Sequence, residues 1–254
     1  MALRNGLLIH GPTSWAVAAR TPEGEIEVAS GAKPSFARGR LADLPVVRGP
    51  LRLAEAMAVI PLARMRLRSA RLPFEDVRVV AVGVGTALLS RAMRRRRSTF
   101  ASETAIALLG ALPALAALRD RDLAAYHGVE HKAIGAYERG AEDPAAVPKE
   151  HERCGSNLIG PLLAMSVTGQ VLVARLLERP GPLARGAVGV AGVGGAVELF
   201  AYAERNPDSP LGHAVHGPGH EIQRLVSTRE PTPEQLEVGA AALAAVLAAE
   251  SAQD

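Results

Sequence analysis

A chain of 254 residues is long enough to bury one large core or two smaller ones, and a net charge of +3 makes it neither strongly basic nor acidic. Its one cysteine, Cys154, excludes an intrachain disulfide framework. With one Trp, three Tyr and four Phe, the apolar content rests mostly on Ala, Leu and Val, which favours helix over sheet. No secretory signal sequence is expected, because residues 1–8 carry Arg4 and no long apolar core follows.

Residues 15–19 are small and apolar, Thr21-Pro22-Glu23-Gly24 supplies turn chemistry, and Glu25-Ile26-Glu27-Val28 alternates polar with apolar. That pattern predicts a short β-hairpin over 15–28. Pro45 and Pro50 then bracket Val46-Val47-Arg48-Gly49. Residues 51–72 are helical in composition, and Pro61 is expected to kink or divide that helix. Its arginines, Arg52, Arg64, Arg66, Arg68 and Arg71, fit two readings. One is an amphipathic helix on an anionic membrane surface; the other is a basic face in water.

Four uncharged runs bear on membrane association. Residues 79–90 and 186–197 are uncharged for twelve residues each, 104–118 for fifteen, and 154–174 for twenty-one. A helix crossing the ~30 Å hydrocarbon layer needs about 20 apolar residues, so only the last spans by itself. The scarcity of aromatic residues leaves no interfacial belt, and a mean hydropathy of +0.11 is low for a multi-span protein. The arginine run Arg91-Ala-Met-Arg94-Arg95-Arg96-Arg97 is expected on the cytoplasmic side, although basic residues also precede residue 79 and leave that segment without a charge-defined direction. A basic cluster beside an apolar segment and without stacking aromatics reads as a topology anchor, and no nucleic-acid partner is expected.

His127-Gly128-Val129-Glu130-His131 places two imidazoles four residues apart, on one face if the segment is helical, with a carboxylate beside them. This fits the H-x-x-E-H pattern of inverted zinc peptidases, in which the Glu polarises a metal-bound water. His151-Glu152-Arg153-Cys154 adds a second ligand-type pair at a spacing read as one helical turn. Together the pairs predict a metal site built from His127, His131, His151 and Cys154. Further on, Glu198 follows a Gly-rich run in an apolar context and is read either as a functional carboxylate or as a helix-end residue near water. His216-Gly-Pro-Gly-His220 has ligand-like spacing but the composition of a loop. Thr232-Pro233-Glu234-Gln235 predicts a capped helix running to about residue 250.

Tyr126-His-Gly-Val-Glu-His-Lys132 with Tyr137-Glu138 resembles the signature of the bacterial family called domain of unknown function 1385, the YqhQ-type proteins. His151-Glu-Arg-Cys-Gly-Ser-Asn157, Gln223-Arg-Leu-Val-Ser-Thr-Arg-Glu-Pro231 and Gln235-Leu-Glu-Val-Gly239 are similar to its later elements. Arg20-Thr-Pro-Glu-Gly-Glu-Ile26 and Leu44-Pro-Val-Val-Arg-Gly49 fit its early ones. The chain departs where the family opens with a Glu-Gly-Val-Met-Met-Arg-like stretch and this sequence has Leu7-Leu-Ile-His10-Gly-Pro12. It departs again at Val197, which stands for a family Tyr, and at His220, which stands among apolar family positions. The resemblance implies a multi-pass protein of the bacterial inner membrane with a metal-dependent activity whose reaction is not established.

The expected fold is mainly α, a helical membrane-associated bundle with a short N-terminal β-hairpin. Three regions are expected: 1–75 with the hairpin and basic helix, 76–205 as the membrane core with the ligand pairs, and 206–254 as a loop and capped helix. Two functions follow. In the first, His127, His131 and one of His151 or Cys154 hold Zn²⁺, water occupies an open position, and Glu130 is the base of a hydrolase. In the second, all four ligands close the zinc and the protein is a non-catalytic scaffold. The lipid bilayer and an unidentified substrate are the expected partners.

Overall fold

The computed structural model describes residues 1–36, 44–95, 98–177 and 180–252. The chain opens with a three-stranded antiparallel sheet in sequence order, β1 (Gly6–His10), β2 (Ser14–Arg20) and β3 (Ile26–Ala32). The expected hairpin is β2–β3, whose turn passes through Gly24 at φ 96°, a left-handed conformation that glycine adopts without strain. The additional strand, β1, pairs with β2 in the register Gly6↔Ala19 to His10↔Trp15.

The burial of the sheet explains why β1 carries no strand signal. Leu8, Trp15, Val17 and Ala19 pack on one face against Val59, Ile60 and Ala63 of α1 (Arg48–Arg66). Leu7, Ile9, Ala16 and Ala18 pack on the other face. There they meet Tyr126 and Val129 of α4 (Arg121–Arg139) and Val238, Ala242 and Val246 of α8 (Pro233–Ser251). Strands covered on both faces are apolar at successive positions and lose the alternation that marks a half-buried strand.

Pro61 does not divide α1, which runs unbroken from Arg48 to Arg66. The proline removes a single N–H donor, and burial of Val59, Ile60 and Ala63 against the sheet holds the neighbouring turns in place. The basic end of this helix is engaged within the protein. Arg66 donates to the Ser30 carbonyl at 2.6 Å and lies over the Trp15 ring at 5.8 Å, and Arg64 pairs with Glu75 at 2.9 Å.

The apolar runs form two helical hairpins, α2 (Val77–Met93) with α3 (Phe100–Ala117), and α5 (Ile159–Leu176) with α6 (Pro182–Arg205), which meet through α3 and α5. The starts of α2 and α3 are fixed by side-chain caps, Asp76 on the Arg78 N–H and Thr99 on the Ser102 N–H. Among the described residues, Phe100–Ala117, Gly155–Leu176 and Pro182–Arg205 are long and apolar enough to cross a membrane, and no more than 22% of any of these apolar windows is buried within the protein. Sequence physics found one such run; the folded helices provide three, because α3 and α6 extend past the uncharged stretches that defined them. Of the arginine run, Arg96 and Arg97 lie outside the described residues.

Glu198 is not a helix-end residue but a paired carboxylate within a helix. It sits inside α6 and accepts from Arg48, Nε at 2.7 Å and Nη2 at 2.5 Å. The Val46-Val47-Arg48-Gly49 segment therefore seats on α6, where a side chain on Gly194 would collide with the Val46 carbonyl at 2.0 Å. The 216–220 stretch also departs from expectation: it is helical, inside α7 (Pro210–Ile222). A Cβ on Gly219 would fall 1.8 Å from Asn157 Oδ1, so glycine at this point permits α7 to cross the Gly155–Leu158 turn closely. That packing outweighs the poor helix propensity of Gly-Pro-Gly. α8 starts as expected, with Thr232 and Gln235 capping each other's backbone N–H and Pro233 at the first helical position.

Candidate metal centre

α4 carries the H-x-x-E-H element and is a well-specified helix. Asp120 caps its first turn through the N–H groups of Asp122 and Leu123, and Gly140 closes it at φ 64°. One turn apart on its inner face, the His127 and His131 rings approach edge to face with centroids 4.5 Å apart. Their Nδ1 atoms lie 2.8 Å from the Ser227 carbonyl and 2.6 Å from the Lys149 carbonyl. A carbonyl only accepts, so each ring carries a proton on Nδ1, which leaves Nε2 as the nitrogen able to ligate a metal. This is the outer-shell arrangement that orients metal-binding imidazoles.

Cys154 completes the group. Its Sγ is 3.5 Å from His127 Nε2, and ligand atoms of His127, His131 and Cys154 all lie within 4.8 Å of one another. Two ligands at Zn–N ~2.0–2.1 Å and Zn–S ~2.3 Å, set at a tetrahedral angle, are themselves ~3.5 Å apart. The donor set and its spacing fit a small N/S-ligated cation. Burial alone pushes the Cys154 thiol up, but the hydrogen bonds and charge of His127 and His131 outweigh it and bring its pKa down from 9.0 to about 5. Burial works against charging His127; the sulfur and Glu130 overcome that and hold its pKa above the usual value. The Ser156 N–H, at the start of the 3₁₀ turn that leads into α5, also points at Sγ from 3.5 Å.

The structure does not bring His151 into this group. The helical spacing assumed for His151 and Cys154 does not apply, because residues 151–154 form a turn closed by Cys154 N–H on the His151 carbonyl at 3.2 Å. His151 Nε2 faces Glu138 Oε2 at 3.1 Å, its Nδ1 accepts the Arg153 N–H at 3.2 Å, and its ring centroid stands 5.8 Å from that of His131. Glu130 is partly buried beside the cluster, with its Oε1 2.5 Å from the Met1 amine. Burial raises its pKa; the Met1 amine and the two imidazoles lower it further, leaving it below the usual carboxylate value and ionised at neutral pH.

The cluster and Glu130 open into a cavity of about 860 Å³ with Leu123, Ile134, Ala114 and Ala117 among its apolar walls. His10, at the end of β1, lines the same cavity; its Nδ1 is buried without a hydrogen-bond partner among the described residues. Burial, aided by the Met1 amine and Lys33, lowers its pKa to about 4, so it is neutral at pH 7. Sequence reasoning met His10 only as a departure from the family opening.

The Gln223–Pro231 element, which had no assignable task in the sequence, is the scaffold of this site. It forms a short π-helical turn, Gln223–Ser227, of the kind found at functional positions, and the Ser227 carbonyl orients His127. Gln223 Oε1 accepts the His151 N–H at 2.7 Å. Glu230 pairs at 2.6 Å with Lys132, a buried ammonium whose other donors reach the Ala145 and Val147 carbonyls at 2.9 and 2.6 Å. Three acceptors satisfy a buried Lys that would otherwise be costly. They also anchor the loop that presents the Lys149 carbonyl to His131.

Gly128, between the ligands, faces the Arg229 carbonyl, which a Cβ would approach to 2.3 Å. Gly128→Ala is expected to destabilise the fold by about 1–3 kcal/mol through overpacking and to displace the Ser227 carbonyl from His127. A thermal unfolding midpoint equal to that of the parent would show that the contact carries no such constraint.

In comparisons with known proteins, no curated protein and no solved structure matched the chain. Residues 105–249, which hold the cluster, both of its carbonyl supports, the helices from α4 to α7 and most of α8, match one family model. On that match, over more than half its length, the chain belongs to the family described as "Protein of unknown function (DUF1385)".

Proposed function

We propose that the protein is a membrane-embedded, zinc-dependent hydrolase, with His127, His131 and Cys154 as ligands and Glu130 as general base. The observation that carries this reading is a three-ligand cluster that lines a cavity together with an ionised carboxylate. Three protein ligands with a free position are the pattern of catalytic zinc, and zinc in such a site supplies Lewis-acid activation of water near neutral pH. Glu130 would take the proton from a water in the cavity and return it to the leaving group. The apolar walls exclude bulk water and suit a substrate with an apolar portion. The closed-zinc scaffold needs a fourth ligand, and His151 has both ring nitrogens engaged by Glu138 and Arg153.

Metal analysis of the purified full chain tests the proposal. One zinc per chain is expected, lost on His131→Ala and kept on Glu130→Gln, because a base that is not a ligand is not needed for coordination. Absence of zinc uptake at neutral pH from a stoichiometric supply ends the metal reading. Loss of zinc on Glu130→Gln makes the carboxylate a ligand and removes its role as base.

A further inference from the structure

A second cavity, of about 930 Å³, lies at the opposite end of the two helical hairpins from the His/His/Cys cluster. Residues near both hairpin tips line it, Arg91 and Arg94 from the first and Pro182 and Arg185 from the second. The His/His/Cys cavity is instead lined by Ala114 and Ala117 at the other end of α3 and by Gly155 at the start of α5. The tip cavity therefore opens at the far end of the hairpins and runs inward to Gly110 and Leu162, stopping short of the residues that line the His/His/Cys cavity.

The tip cavity is divided by polarity along the helix axes. At its outer end Glu103, 2% exposed, pairs with Arg185 at 3.3 Å and Arg94 at 3.8 Å and accepts from Ser98. Gln170 is buried there too, accepting from Arg185 Nη1 at 3.2 Å and donating to the Arg185 carbonyl at 3.0 Å. Arg91 has no ion-pair partner among the described residues, so among the described lining residues three guanidinium groups meet one carboxylate, an excess of positive charge. One helical turn inward, roughly 6 Å, the lining becomes Ala87, Ala107 and Gly189, and after about two turns, roughly 10 Å, it is Gly110, Leu162 and Leu163. Space is open at the two glycines: a Cβ on Gly110 or Gly189 would meet nothing within 4 Å.

We infer that this cavity binds an anionic amphiphile, with a phosphate-type headgroup on Arg91, Arg94 and Arg185 and an acyl chain along the Gly110–Gly189 side. Planar guanidinium groups suit phosphate oxygens, and the pair to Glu103 fixes Arg185 and Arg94 in place before a ligand arrives. A free phosphate would use the arginines and leave the apolar end empty. The inference rests on the membrane-embedded reading but not on the zinc reading, since the two sites share no residue.

The test uses the full chain in detergent micelles doped with phosphatidylglycerol or phosphatidylcholine, with native mass spectrometry reporting retained lipid and elemental analysis reporting zinc. Phosphatidylglycerol should be retained at least about tenfold over phosphatidylcholine, since each basic residue near a headgroup is worth roughly a fivefold preference. Arg91→Gln with Arg94→Gln should erase that preference. Gly189→Leu, which fills open space at the apolar end, should lower retention of both lipids while the zinc content stays at its parental level. Equal retention of the two lipids, or full retention in Gly189→Leu, overturns the inference. Complete displacement of phosphatidylglycerol by inorganic phosphate also overturns it, in favour of a simple anion site. A chain that stays soluble and monodisperse without detergent overturns the membrane reading and this inference together, whatever its zinc content.

Discussion

Metal-free protein is expected to react with iodoacetamide at Cys154 with a pH midpoint near 5, far below the 9.0 of an ordinary thiol, and His127→Ala is expected to move that midpoint upward. The sign follows from the causes. Burial favours the neutral thiol, and only the His127 and His131 contacts overcome it. Deleting His127 removes the first of them, at 3.5 Å, and leaves burial opposed by His131 alone. At neutral pH the thiolate fraction would fall from nearly complete to about one part in a hundred if the pKa returns to its ordinary range. The rate itself falls less steeply, because thiolates of low pKa are weaker nucleophiles, so the midpoint is the quantity to compare. The single cysteine makes the measurement clean, and the cavity gives a small reagent access to Sγ. Addition of zinc should suppress the reaction, since coordination occupies the sulfur. A wild-type midpoint between 8 and 9, or one that ignores the His127 substitution, would show that the two imidazoles do not act on the sulfur.

Much of this site was legible in the sequence because its main element obeys a local rule. His127 and His131 share a face of α4 by spacing alone, and Glu130 follows from the same helix. Cys154 is a candidate in the sequence because it stands three residues after His151 and close to that motif. It joins the cluster although the helical spacing behind that pairing does not hold. His151 shows where spacing fails: three residues apart implies one face only in a helix, and residues 151–154 are a turn that sends His151 to Glu138. The carbonyls of Ser227 and Lys149 are backbone groups brought from 100 and 18 residues away, and backbone groups leave no mark in residue identity. β1 was hidden by burial on both faces, and the helical state of 216–220 depends on one close approach at Gly219. The Arg48–Glu198 pair joins residues 150 apart, a contact of the folded chain that no local pattern contains. In the sequence both residues stood in marked segments, but nothing linked them.

The two hairpins set the final expectation, a topological one with an all-or-none readout. The α2–α3 and α5–α6 tips line one cavity at one end of the helices, while the sheet, α4 and the ligand cluster lie toward the other. The outward side chains Val80, Val84 and Leu88 of α2, Leu108, Leu112 and Leu115 of α3, Leu172 of α5 and Val190 of α6 are all exposed. A stable protein in water does not leave so broad an apolar belt uncovered. Covering it with lipid requires both hairpins to enter from the same side and turn at the same face. α2 has 17 residues, about 25 Å of helix, and reaches across only a locally thinned bilayer or with the arginines at its end extended to the headgroups. On a Cys154→Ser background, cysteines introduced at Ser98 and Gly181 should therefore label from one side of sealed vesicles, and a cysteine at Glu23 in the β2–β3 turn only from the other. The arginines at the tips favour the cytoplasmic face by the positive-inside rule, whereas the sheet domain carries arginines of its own, so the labelling decides the orientation that charge leaves balanced. Labelling of Ser98→Cys and Gly181→Cys from opposite faces would break the paired-hairpin arrangement. Labelling of all three positions from a single face would mean that the helices do not cross at all, and the apolar belt would then have to be covered by another protein surface.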